Sequence, residues 1–255
     1  MKRIITPVAL ALLAGPLVAA DSNPKDDVVA AAKKLAGQPN YSWKEVVVLP
    51  EDSPFKPGPT LGKLEKSGVT FVTLSFGDNT TKIYLKGGRS AISNPDGGWQ
   101  SAKELENEEG PGRFMAFLVR AFKAPAAQAE ELAGSAQELK LDGDVISGDM
   151  DDAGAKAQFR FGTVTNPKGS VKFWLKNGEL VKYEFKLTGK ADFNGNEFDV
   201  DRDTTVDISD VGTTKFDVPA DAAKKLEAAP VAPAPAAATS TNAPATNAPA
   251  TAHPQ

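Results

Sequence analysis

The chain has 255 residues, a formal net charge of −4, one histidine and no cysteine. The missing cysteines exclude a disulfide framework, thiolate metal sites and a lipid-modified cysteine of the bacterial lipoprotein kind. The one histidine, His253, sits at the far end of the chain, so histidine acid/base catalysis, Ser-His or Cys-His nucleophiles and His-ligated zinc are excluded from the folded part.

The first twenty residues, MKRIITPVALALLAGPLVAA, run from a basic start at Lys2 and Arg3 through an apolar stretch to a Gly15-Pro16 break and small residues. That order predicts a secretory leader cleaved after Ala20, and an exported protein of the periplasm or exterior with no stable membrane span. Removing Lys2 and Arg3 takes the net charge to −6. An acidic balance without a basic block argues against nucleic acid or an anionic lipid surface as the main partner. Residues 229–255 contain no Asp, Glu, Lys or Arg and repeat TNAPA. Such a Pro/Ala/Thr-rich tail cannot bury enough surface to offset its ordering entropy and is expected to be disordered, a possible handle for an envelope or wall partner. One domain is therefore expected over residues 21–228.

That domain opens with a helix in SNPKDDVVAAAKKLAGQ: Ser22 or Asn23 caps it, Pro24 suits the first turn, and Val28, Val29, Ala32 and Leu35 form its apolar stripe. A strand follows at residues 44–49, then the proline-rich loop PEDSPFKPGP. From Thr60, LGKLEK, VTFVTLSF, TTKIYLK and RSAIS alternate with glycine-rich turns and predict an antiparallel meander. GRFMAFLVRAFK then reads as a helix with Phe114, Phe117, Leu118, Ala121 and Phe122 on one face, expected to lie on a large apolar surface. PAAQAEELA reads as a second, short helix. Strands are expected again in QELKL, DVISG, AKAQFRFG, GSVKFWLK, ELVKYEFKLTG, DTTVDISDVG and TTKFDVP, with a closing helix at residues 220–226. Strands, a helical insert and strands again predict an α+β fold, a curved antiparallel sheet in the manner of a half-open barrel with helices on one face.

The hairpin FWLKNGELVKYEFKLTG has a parity problem. Val171, Phe173 and Leu175 are odd-numbered, and so are Val181, Tyr183, Phe185 and Leu187. A two-residue turn at Asn177-Gly178 would set Trp174 against Val181 and scramble the faces. A three-residue loop, Lys176-Asn177-Gly178, places Phe173 opposite Val181 and keeps the apolar face unbroken. Trp174 then shares the other face with Lys172, Lys176, Lys182 and Glu184. Either lysine stems cover its ring, or both faces of the sheet are used and Trp174 belongs to a binding wall. Trp43 and Trp99 read as lids on the core's edge.

The order of elements, the IYLKGGRSAIS unit and the FWLKNGELVKYEF hairpin resemble the periplasmic lipoprotein-carrier superfamily, the LolA-like fold and the mycobacterial lipid-binding lipoproteins related to it. The resemblance implies a curved sheet over helices with acyl chains held between them. It points to a non-catalytic carrier or sensor of an apolar ligand with no cofactor; no binding residue is carried over from it, and the apolar helix face and the aromatic strands themselves offer Phe114, Phe117, Phe122, Trp174 and Tyr183 as candidate contacts. Two alternatives stay open: an envelope interaction module with a solid core, and a carboxylate-dependent hydrolase, for which no acid pair is recognisable. Carboxylates gather in GDMDDAG and DFNGNEFDVDRD; the second stretch fails the calcium-loop pattern, because aligning Gly195 with the loop glycine puts Lys190 where the first aspartate belongs.

Overall fold

The structure, a computed structural model, describes residues 23–53, 56–159, 163–193 and 195–227. The expected leader and tail lie outside the described residues. Helix α1 (Pro24–Ala36) forms as its sequence requires: the Asn23 side chain accepts from the Lys25 amide, Pro24 enters the first turn, and Val28, Ala31, Ala32 and Leu35 are buried.

Strand β1 (Asn40–Val48) then becomes the middle of the sheet. On one side follow β2 (Thr60–Glu65), β3 (Thr70–Phe76), β4 (Asn79–Lys86), β5 (Arg89–Ser93) and β6 (Trp99–Gln100). The helical insert comes next: α2 (Ala102–Leu105), α3 (Pro111–Arg120) and α4 (Pro125–Ser135). The second meander comprises β7 (Lys140–Asp142), β8 (Val145–Asp149), helix α5 (Asp152–Ala157), β9 (Thr163–Lys176), β10 (Glu179–Phe193) and β11 (Asn196–Ser209). Helix α6 (Ala220–Leu226) closes the described chain. β11 pairs with β1, so the two meanders join into one open antiparallel sheet of eleven strands, ordered β6-β5-β4-β3-β2-β1-β11-β10-β9-β8-β7. The fold is the expected α+β arrangement of a large antiparallel sheet, not closed, with helices.

Two expected strands do not form among the described residues. AKAQFRFG begins as α5, because Asp151 accepts from the Gly154 amide and the alanine-rich turn that follows favours helix. TTKFDVP leaves the sheet: Asp210 and Gly212 have positive φ and turn the chain out. Side chains of β1 hold it instead, with Asn40 Oδ1 accepting from the Thr214 amide at 2.9 Å and the Ser42 and Thr214 hydroxyls 2.7 Å apart.

The hairpin solves its parity differently from the expectation. Asn177 and Gly178, with φ of 54° and 71°, form a two-residue turn that pairs Lys176 with Glu179 and Leu175 with Leu180. The register then slips by one at Val181, so Trp174 faces Lys182 and Phe173 faces Tyr183. The extra residue sits inside the return strand as a bulge, not in the turn.

One face of the sheet, here called inner, carries Trp43, Val72, Ile83, Ile92, Phe173, Tyr183, Phe185 and Val206, which pack with α1 to α5 in a single core. The outer face of the β3–β6 side carries a second cluster: Val69, Tyr84 and Ala91 with Ala222 and Leu226 of α6, flanked by Phe71, Trp99 and Phe216. Thus α6 lies on the opposite side from the other helices.

Candidate functional site

Under α1 and α4 the inner face is filled. Tyr183 is fully buried and its hydroxyl donates to Gln128 Oε1 of α4 at 2.6 Å. Helix α4 reaches the sheet with small residues, Ala126, Ala129 and Ala133, beside Leu132. The Lys25 ammonium of α1 donates to the Gly134 and Ala136 carbonyls at its C-terminal end. Tyr41 lies near its N-terminal end. Burial pushes the Tyr41 phenol up to about 12, and the Ala126 backbone offsets this in part. That backbone is near enough to act electrostatically, yet Tyr41 Oη has no well-formed hydrogen bond among the described residues.

On the β2–β4 side burial is less complete. Leu64, Leu74 and Leu85 of the inner face are only partly buried, as are Met115 and Phe122 of the helical insert; Leu64 and Leu85 flank Thr70 at one end of these strands, and Leu74 lies beyond buried Val72 and Ile83 at the other. Trp43 bounds this region: its ring lies against Gly62 of β2, so closely that a Cβ there would fall 2.0 Å from the indole, and it stacks with Phe122 at 6.1 Å. Helix α2 is fixed by a capping box between Ser101 and Glu104, and Ser90 Oγ accepts from its first amide at 2.8 Å. The Lys225 ammonium of α6 donates to the Glu104 carboxylate at 2.7 Å. That ammonium, with the Ser101 amide and hydroxyl, holds the carboxyl at about 2.

Helix α3 departs from its expected orientation. It buries Ala116 and Val119, and Phe114 and Phe117 are each 42% exposed. Phe122, just beyond the helix, turns inward to Trp43. A helical face of three phenylalanines on the sheet is therefore not formed.

Trp174 lies on the outer face, paired with Val145 and Lys182, with the Lys182 ammonium 4.6 Å from the ring centroid. The lysine-stem reading of its burial describes this arrangement. Trp174 and Tyr183 therefore belong to opposite faces and cannot touch one ligand between sheet and helices. The partly buried residues Leu64, Leu74, Leu85 and Met115, which sequence reading did not single out as candidates, are each an ordinary apolar residue in a periodic segment.

The acidic strand β11 is matched by lysines of β10: Lys186 Nζ lies 2.7 Å from Asp201 and 3.4 Å from Asp203, and Lys190 lies 2.8 Å from Glu197. No group of three or more metal-ligating side chains stands together among the described residues. A pocket of about 50 Å³ beside α1 is lined by Leu35, Leu180, Val181, Ile208 and Val211, with Lys34 and Glu179 3.1 Å apart at its rim. It is far smaller than a site for a drug-sized ligand. No described helix is long and apolar enough to cross a membrane.

No family model and no curated protein matches the chain. Among solved structures, it is similar to LprF from Mycobacterium bovis, at 13% identity over 78% of this chain and 97% of that one, with a TM-score of 0.43. It is also similar to the lipoprotein LppX from Mycobacterium tuberculosis (10% identity, 77% and 99% covered, TM-score 0.42). A third is a LolA superfamily protein from Nitrosomonas europaea (10% identity, 77% and 96% covered, TM-score 0.33).

Proposed function

We infer that the protein is an exported, non-catalytic binding protein of the cell envelope whose ligand is an apolar chain, a lipid by chemistry. The observation that carries this reading is the incomplete burial of Leu64, Leu74 and Leu85 on the inner face of β2–β4 and of Met115 and Phe122 in the helical insert, against the filled side around Tyr183. In this reading the ligand lies between β2–β4 and α3, with the Trp43–Phe122 stack at its end, and α3 lifts to admit it. A polar residue among those leucines would discourage an alkyl chain without touching the filled half.

Native mass spectrometry of residues 21–255, purified after export without detergent, tests it. A co-purifying lipid mass, lost in Leu74→Glu while the thermal transition survives, is the expected result. An apo mass unchanged after incubation with mixed phospholipids would defeat the reading. The close packing around Tyr183 supports the second reading, an envelope interaction module with a solid core, which that outcome would leave standing.

A further inference from the structure

We propose that the open backbone edge of β11 between Asn196 and Asp201 accepts an extended segment of a partner polypeptide, antiparallel to β11, whose side chains alternate between basic and apolar. β10 lies alongside this whole stretch, but β1 pairs only with Asp203–Ser209. Beyond Val48 the chain does not continue along β11: it turns at Pro50 and returns beside β3, where Gly58 donates to the Ser75 carbonyl at 2.8 Å. Among the described residues no other strand takes its place. Phe193 and Asn196 close the β10–β11 hairpin around a two-residue loop and exchange both backbone bonds, so alternation turns the N–H and C=O of Glu197, Asp199 and Asp201 away from β10. Such an edge recognises extended polypeptide through its backbone.

The side chains select the partner. Further along the same sheet, Asp207 of β11 stands in one row between Lys182 of β10 and Lys44 of β1. Where β1 has ended, only the β10 half of this pattern persists: Lys186 meets Asp201 and Asp203, and Lys190 meets Glu197 and Asp199. Two lysines there serve four carboxylates, and the counterpart of Lys44 is missing. On the other face of the stretch Phe198 is 48% exposed, with Val200 partly buried beside it. Basic residues opposite Glu197, Asp199 and Asp201, with apolar residues between them over Phe198 and Val200, complete both faces. A second copy fits badly, because antiparallel pairing of two such edges sets carboxylate against carboxylate. The Pro/Ala/Thr-rich residues 229–255 fit no better: they include no lysine or arginine, and their prolines lack the amide that strand pairing needs. This contact goes beyond the ligand reading and stands without it.

Fluorescence anisotropy of the labelled peptide VKVKVKV titrated with residues 21–255 tests the contact. The peptide should bind, and VEVEVEV should bind about tenfold more weakly or worse. In the antiparallel register the lysine amides point at β11 and the valine amides point away. N-methylation of the lysine amides should therefore weaken binding about tenfold or more, whereas N-methylation of the valine amides should change it less than about twofold. These arms require no variant to fold. On the protein, Asp199→Pro removes one outward N–H from an edge that tolerates proline, and Asp199→Asn keeps it, so D199P should bind about threefold to tenfold more weakly than D199N at similar thermal midpoints. A parent that does not bind VKVKVKV, equal binding of VEVEVEV, loss on valine rather than lysine methylation, or equal affinities of D199P and D199N would each overturn the proposal. Peptide binding without a co-purifying lipid mass would support the edge and defeat the ligand reading; lipid mass without peptide binding would do the reverse.

Discussion

On β9 and β10, Val171, Phe173, Tyr183, Phe185 and Leu187 are all buried; on the inner face of β2 to β4, Leu64, Leu74 and Leu85 keep part of their surface. Both regions are antiparallel sheet faced by helices, and both are lined by ordinary core residues. The difference lies in the covering helices. Helix α4 offers alanines that let it come close, and it is held at its C-terminal end by Lys25 and at its side by Tyr183. Helix α3 packs mainly on α2 and turns its largest side chains outward. Coverage of a sheet thus depends on where a helix puts its small residues as much as on how apolar it is.

The contrast can be tested with one substitution type made twice. Leu187→Ala, on the filled side, should cost about 3–5 kcal/mol in a denaturant titration, because its surroundings cannot collapse around the cavity. Leu74→Ala should cost about half that or less, since part of its surface already meets solvent. Equal losses would erase the distinction. Gly62→Ala attacks the boundary between the regions: the added methyl meets the Trp43 ring, and overpacking should cost about 1–3 kcal/mol with a change in tryptophan emission.

A smaller pair of effects separates two of the three buried tyrosines, Tyr183 and Tyr41. Tyr183→Phe leaves Gln128 Oε1 without its donor and should destabilise by about 1–2 kcal/mol. Tyr41→Phe removes a hydroxyl that lacks a good partner and should be close to neutral. The smallest effect concerns Glu104, whose carboxyl is held at about 2 against an ordinary value of 4.5. A depressed folded value means that its contribution is complete above about pH 4.5 and is lost as the pH falls toward 2. Glu104→Gln should therefore flatten the acid limb of thermal stability between about pH 5 and pH 2 and do little near neutrality. The group is half-exposed, so the change should be slight.

Much of this architecture is legible in the residues. Glycine-rich turns delimit β2 to β5, the cap and stripe of α1 are local, and parity within β9 and β10 requires one extra residue. The position of that residue is not legible, because a bulge in the strand and a longer turn restore the same alternation. The orientation of α3 escapes the sequence for a related reason. Its central run, FMAFLV, is apolar at every position, so spacing offers more than one possible stripe. Tertiary packing selects the one with Ala116 and Val119, which allow close approach. Contacts such as Tyr183 with Gln128 or Trp43 on Gly62 join residues far apart in the chain and leave no periodic trace.

The Lys225–Glu104 ion pair has one more consequence. It links α6 on the outer face to α2 on the inner face beside the two-residue strand β6, so one margin of the sheet is closed from both sides. The other margin, β7, is three residues long, with Lys140 and Asp142 beside its one leucine. Among the described residues, an eleven-stranded sheet thus ends in strands of two and three residues, each a short template for strand addition by another chain.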